Sequence, residues 1–287
     1  MIKKLIILLV ISIFNTNICL AKIITTNDFN IIKNKVQSAE NNTIVIFDID
    51  YVLLQPKDYS LRYYYHNNNE QEKAKIFHHE IQQRLNDEQI SEMLMQTAVE
   101  PIDNRMTELI DKIQKKGITV IALTARGTGR FGKIPSMENW GIRELKHLGY
   151  HFDKSWVTTK EKTFEQFPTK YLKQFPKFIK GVIFTCGVPK GQVLEAFLNY
   201  IKLHPTKILF VDDKRKNLES VASFAHKSNL SFLGIEYTFA KDSNTKPFNK
   251  KLAKFQFEIL EKENKWLSDQ QANAMLKKQT KERQHRN

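Results

Sequence analysis

The chain has 287 residues, enough for one large domain or two small ones. Lys and Arg number 45 against 31 Asp and Glu, a net charge of +14 that favours anionic partners in general. The basic residues are spread along the chain without a dedicated binding motif, which argues against a specific nucleic-acid reader, and no His/Cys cluster has zinc spacing.

Lys3 and Lys4 precede the apolar run 5–14, and Cys19-Leu20-Ala21 offers small residues around a cleavage point after Ala21. Residues 1–21 therefore read as a signal peptide. The run is too short for an uncleaved anchor, since a span needs about 20 apolar residues. Bulky Ile18 argues against a lipoprotein route through Cys19. Cleavage leaves residues 22–287 with no transmembrane segment, 43 basic against 31 acidic residues, and Cys186 as the one remaining cysteine. The mature chain is then periplasmic or secreted, and it depends on its core rather than on a disulfide. Cys186 reads as a packed thiol at a strand end.

Residues 31–36 fit a short helix, and 43–47 form the first core strand. Phe47-Asp48-Ile49-Asp50-Tyr51-Val52 follows. Two carboxylates two residues apart at the end of a buried strand are costly unless they bind a cation or do chemistry. The segment from about 55 to 100 breaks the pattern. Its aromatic stretch 59–65 contains Arg62, and a helix over 70–85 carries Ala74, Phe77, Ile81 and Leu85 at helical spacing. His78 and His79, adjacent on that helix, read as surface residues. A second helix runs from Glu88 to about Ala98, capped by Asp87. This is a helical insertion over the mouth of the first strand.

Pro101 opens the next element, a helix with Met106, Leu109, Ile110 and Ile113 on one face. Residues 118–123 are a strand buried on both sides, ending in Thr124-Ala125-Arg126-Gly127. A helix over 138–148 follows. Residues 152–176, with two prolines and many lysines, fit a hairpin, a second small insertion or an ordered loop. A short strand over 182–185 leads through Pro189-Lys190-Gly191 into a helix. Residues 207–211 form another buried strand, ending in Asp212-Asp213. A helix over 217–226, a strand over 232–237 and a charged helical tail over about 248–287 complete the chain, the last ten residues expected to fray. Helix-loop-strand alternation of this kind signals an α/β fold with a parallel sheet.

Four polar sites thus stand at strand ends or helix starts: Asp48 with Asp50, Thr124, Lys190, and Asp212 with Asp213. Their order and settings resemble the haloacid dehalogenase-like (HAD) superfamily over most of residues 43–238. The stretches Leu123-Thr124-Ala125-Arg126, Val188-Pro189-Lys190-Gly191 and Val211-Asp212-Asp213-Lys214 are similar to a poorly characterised group of exported bacterial HAD-like proteins, which supplies little on substrate. The resemblance implies a Rossmann-like parallel sheet flanked by helices, a helical cap at about 55–100 within one domain over 22–287, and phosphoryl chemistry. Members acting on carbon–halogen bonds lack the second Asp, which is present here as Asp50. Val52 is an accepted alternative to the commoner Thr.

The residues fit that chemistry. A phosphate monoester repels a carboxylate nucleophile, so a divalent cation must bridge them, and the hard oxygens of Asp48 and Asp212 suit Mg²⁺. Asp48 would attack phosphorus and form an aspartyl-phosphate. Asp50 would protonate the leaving oxygen and then take a proton from water. Lys190 would neutralise phosphoryl oxygens and keep the crowded carboxylates ionised. The Thr124 hydroxyl would orient phosphoryl oxygens. The resemblance adds the backbone carbonyl of Asp50 as a metal ligand.

Each residue also has a plainer reading. The aspartates serve as caps or turn formers, Thr124 as a cap and Lys190 as a surface lysine. Asp213 either binds the metal through water or orients Lys190. Arg126 either grips phosphate or is an inward structural partner. Residues 62–65 either line the entrance or pack.

The expectation is an exported Mg²⁺-dependent phosphatase acting on a phosphorylated small molecule, of undetermined oligomeric state. A phosphotransferase would use the same residues, with an alcohol replacing water. The competing classes are a non-catalytic HAD-fold binding or effector module and a basic envelope protein acting through its tail.

Overall fold

The computed structural model describes residues 21–167, 169 and 174–284. Apart from Ala21, the expected leader lies outside the described residues. Ala21–Thr26 forms β1, an edge strand that the sequence pattern did not announce. Helix α1 (Phe29–Gln37) begins at Asp28, whose side chain accepts the Asn30 N–H, and β2 (Thr43–Phe47) is buried at every position.

The chain then leaves the sheet. Strands β3 (Leu54–Pro56) and β4 (Val99–Pro101) pair antiparallel as a stem that carries α2 (Asn68–Gln82) and α3 (Asp87–Gln96) between them. Asn86, rather than Asp87, caps α3 through a reciprocal capping box with Gln89. Next come α4 (Arg105–Lys115), β5 (Thr119–Thr124) and α5 (Met137–His147). Pro101 closes the stem instead of opening α4. Within the ambiguous stretch, β6 (Lys162–Thr163) pairs antiparallel with β7 (Lys177–Ile179), which turns back into β8 (Val182–Phe184). Then α6 (Lys190–Ile201), β9 (Lys207–Asp212), α7 (Arg215–Lys227) and β10 (Ser231–Tyr237) complete the sheet.

The sheet order is β1-β10-β9-β2-β5-β8-β7-β6, parallel from β1 to β8 and antiparallel at the β7 and β6 edge. This is a Rossmann-like α/β fold. Successive side chains of a strand face opposite ways, and the core divides accordingly. Val45, Phe47, Val120 and Leu209 pack under α1, α4 and α5, while Ile44, Ile46, Ile121 and Phe210 pack under α6 and α7. Cys186 is free and buried. The chain goes from β2 to β5 on one side and later crosses to β9 on the other, so the strand order reverses at β2. In open α/β sheets such a crevice is where ligands bind.

The C-terminal segment is not a separate tail. After the short α8 (Phe239–Ser243), α9 (Lys250–Glu263) buries Phe257 and Leu260 against Phe77, Ile81 and Leu61 of the insertion. Asp58 accepts the Trp266 indole N–H and the Asp269 backbone N–H, each at 2.9 Å. Asp269 in turn accepts the Tyr59 N–H and the Ser60 hydroxyl. The last helix, α10 (Asp269–Gln284), stays helical through residues expected to fray. The cap is therefore built from two segments distant in sequence. His78 belongs to its interior, not to the surface: it is buried, with Nε2 2.7 Å from the Ser60 carbonyl, while His79 is exposed. Among the described residues no helix is long and apolar enough to cross a membrane.

Candidate active site

The strand-end residues converge on the carboxyl edge of β2 and β9. The Asp48 N–H donates to the Val211 carbonyl, so the two strand ends are held side by side. Lys190 is the first residue of α6, where the helix dipole disfavours a cation. Two carboxylates offset this: Nζ lies 2.8 Å from Asp48 Oδ1 and 2.7 Å from Asp212 Oδ2. Gly191 lets α6 approach so closely. A Cβ there would lie 2.2 Å from the Ser220 carbonyl oxygen of α7. Burial alone would lower the proton affinity of Lys190, but Asp212 and Asp48 outweigh it and hold the ammonium above its ordinary range.

Asp212 is fully engaged. Oδ1 accepts the Lys214 N–H and Asn217 Nδ2, and Oδ2 accepts Lys190 and Asn217. Asp213 is not. Its Oδ2 accepts the Tyr64 hydroxyl at 2.6 Å, while Oδ1 is buried without a partner. Burial, together with the neighbouring Asp212, raises the Asp213 carboxyl to about 6. Asp48 takes both of its bonds on Oδ1, from Lys190 and from the Ile49 N–H. Its burial, reinforced by Asp212, Asp213 and Asp50, pushes it well above the usual carboxylate range despite Lys190. Ligand atoms from Asp48, Asp212 and Asp213 lie within 4.8 Å of one another, a set of hard oxygens of the kind that holds a divalent cation.

Asp50 stands apart from this cluster. Arg126 Nε and Nη2 bind its two oxygens at 2.9 and 2.7 Å, and Nη1 binds Glu144 at 2.6 Å. Burial would raise the Asp50 carboxyl, but Arg126, helped by Lys214 and Lys190, holds it below the ordinary value. Of the two sequence readings of Arg126, the structure favours the inward partner over the phosphate grip, because three of its five N–H donors already bind Asp50 and Glu144. The side chain of Asp50 is likewise occupied, which leaves its backbone carbonyl for any metal role. Thr124 is buried and caps its own loop, accepting the Arg126 N–H at 3.2 Å; its hydroxyl proton remains a donor.

Tyr51 has φ 63, a left-handed conformation that costs a non-glycine residue about 1–2 kcal/mol. A tight turn returning from Ile49 to Leu54 imposes it, and the ring packs edge-on against Tyr64 at 4.8 Å. Among residues 62–65, Tyr63 and Tyr64 reach the site. Arg62 and Tyr65 do not: Arg62 binds Glu100 and two backbone carbonyls of the stem, and Tyr65 is packed in the cap. Sequence reasoning named Tyr64 as a candidate for the entrance but not as a partner of Asp213, and it missed Asn217 and Glu144. Asn217, in the first turn of the helix after Asp212-Asp213, had a local signal; Glu144 had none.

A family model described as "Protein of unknown function (DUF2608)" matches residues 25–273. An uncharacterised protein of Rickettsia prowazekii (strain Madrid E) is 27% identical over 247 residues, 86% of this chain and 88% of that protein. A protein of Chlamydia muridarum named "Putative outer membrane protein" is 27% identical over 146 residues, 51% of this chain and 49% of its own length. A Chlamydia pneumoniae protein of similar name is 25% identical over 185 residues, covering 64% of this chain and 63% of its own. No solved structure matches.

Proposed function

We propose that this chain, which belongs to the DUF2608 family, is an exported Mg²⁺-dependent phosphatase of HAD type that hydrolyses phosphate monoesters through an aspartyl-phosphate. The observation that carries the reading is the buried triad Lys190, Asp48 and Asp212 beside the partnerless Oδ1 of Asp213, all at the switch point of the sheet. A structural ion pair needs one carboxylate per lysine; two buried carboxylates on one lysine, with half-buried Asp213 beside them, leave negative charge that a cation would balance.

Asp48 and Asp213 would hold Mg²⁺, with the free oxygen of Asp213 giving it a larger share than the sequence suggested; Asp212 would join them by giving up one of its bonds to Asn217. When bound, the ion would offset the repulsion between a phosphate monoester and the attacking carboxylate. With Oδ1 pinned by Lys190 and the Ile49 N–H, Asp48 has Oδ2 for attack. The new Asp48 O–P bond forms as the ester P–O bond breaks, and the leaving oxygen takes its proton from the protonated Asp50 carboxyl, which becomes a carboxylate. Water then attacks phosphorus, the Asp48 O–P bond breaks, and Asp50 accepts the water proton. The Arg126 pair favours this acceptor half of the Asp50 role; donation to the leaving oxygen requires Arg126 to release it. Lys190 and the Thr124 hydroxyl stabilise phosphoryl oxygens.

The leader pattern ahead of Ala21 and the outer-membrane names of the chlamydial relatives support a periplasmic or secreted location. The bidentate Arg126–Asp50 pair is the one feature that favours a non-catalytic binding module instead.

The test is hydrolysis of simple phosphate monoesters by the mature chain with and without Mg²⁺, beside Asp48→Asn. Mg²⁺-dependent turnover, lost in a folded Asp48→Asn protein, is expected. Calorimetric Mg²⁺ binding weakened by Asp213→Asn is expected as well. Turnover that survives Asp48→Asn would overturn the mechanism.

A further inference from the structure

We propose that the cavity between cap and sheet is the leaving-group pocket of this site and that it selects phosphate monoesters of apolar alcohols. The inference rests on the phosphatase reading above. The cavity encloses about 650 Å³, within the range of small-molecule sites. On the sheet side it is bordered by Asp50, Arg126 and Lys214. It adjoins the reacting centre: of the residues on its wall, Asp50 follows Asp48 by two residues, and the Lys214 N–H binds Asp212.

The cap side is of the opposite character. Leu61, Ile81, Leu85, Met93, Leu94 and Phe257 line it, drawn from both segments of the composite cap. No Asp, Glu, Lys or Arg is among the described cap residues that border the cavity, in a chain that is 26% charged. Most of its polar neighbours are engaged within the protein, His78 Nδ1 being buried without a partner. The Tyr63 hydroxyl accepts from Gln82, His78 Nε2 donates to the Ser60 carbonyl, and the Thr97 hydroxyl donates to the Met93 carbonyl. A sugar or nucleoside entering here would lose the hydration of its hydroxyls with little in return. An alkyl or aryl group would gain by burial against the same surface. Phosphate recognition thus lies on the sheet and alcohol recognition on the cap.

The test is kcat/KM with Mg²⁺ for ethyl, butyl and hexyl phosphate beside glycerol 1-phosphate. All four release a primary alcohol, so intrinsic reactivity changes little along the set. Burial of each added methylene is expected to raise kcat/KM about fourfold, with glycerol 1-phosphate no better than ethyl phosphate. Leu94→Asp puts a carboxylate on a half-buried wall position and is expected to cut the hexyl-to-ethyl ratio at least tenfold, with folding checked by circular dichroism. Turnover that is flat along the series, or best with glycerol 1-phosphate, would overturn the inference and leave the phosphatase standing. A rising series that is indifferent to Leu94→Asp in a folded protein would also overturn it, by placing the apolar subsite elsewhere. Turnover of none of the esters would remove the phosphatase reading and this inference with it.

Discussion

At the carboxyl edge of the sheet, Lys190 and Asp212 have side chains 2% and 0% exposed, and each satisfies the other's charge. In the cap, Asp58 and Asp269 do comparable joining work with neutral donors: an indole N–H, a hydroxyl and backbone amides. The first region concentrates charge where the sheet alone can bury it. The second keeps charge off its inner wall and links two chain segments across it. Rigidity is thus placed where phosphoryl groups would be oriented, and a joint of neutral donors holds the two segments of the cap together. Buried ion pairs and neutral hydrogen bonds fail by different amounts, so the contrast can be measured.

The largest effect is expected at Lys190. Lys190→Met keeps the length of the side chain but leaves Asp48 and Asp212 buried without their cation. Removing one partner of such a group costs about 3–5 kcal/mol, read as a lower urea midpoint at unchanged slope. A loss near zero would mean that the carboxylates find protons or ions without Lys190, and the contrast with the cap would collapse.

A smaller and more local effect is expected from Asp58→Ala. Two donors, the buried Trp266 indole N–H and the part-buried Asp269 N–H, lose their acceptor together. The cost is about 1–3 kcal/mol, and hydrogen exchange localises it. Protection should fall in α10 and the 58–61 turn while the amides of β2 and β9 keep theirs. Equal loss in both regions would show that cap and sheet open as one unit.

The same division governs how far the sequence could be read. The parallel strands announce themselves as continuous apolar runs because helices cover both faces. β2 and β9 were legible for that reason, and their carboxyl ends located Asp48 and Asp212. Edge strand β1 was not, because it is half exposed and follows shortly after the apolar run 5–14. Asp213 and Arg126 were legible as candidates but not in their surroundings: the partnerless Oδ1 of one and the ion pairs of the other appear only in the folded chain. Tyr64 reaches Asp213 from 149 residues away, and Trp266 reaches Asp58 from 208. Local periodicity carries no record of such pairings. For the same reason the terminal helices looked like a charged tail: their amphipathic faces were visible, but the insertion they cover was not.

The smallest effect isolates the cap by pH. His78 is buried among Tyr63, Phe77 and Phe248, with ring centroids 4.9 to 6.0 Å away. Burial lowers its proton affinity below the ordinary value of 6.5, despite the bond to Ser60. The unfolded chain therefore binds a proton at His78 more readily than the folded one. By linkage, the stability contributed by neutral His78 is complete above about pH 6.5, and it declines as pH falls from there toward the lower folded value. The cap is expected to lose hydrogen-exchange protection over that interval. His78→Gln, which cannot titrate but can still donate to the Ser60 carbonyl, should flatten the decline in α2 and α9. A decline that persists in His78→Gln would assign the acid sensitivity to another group.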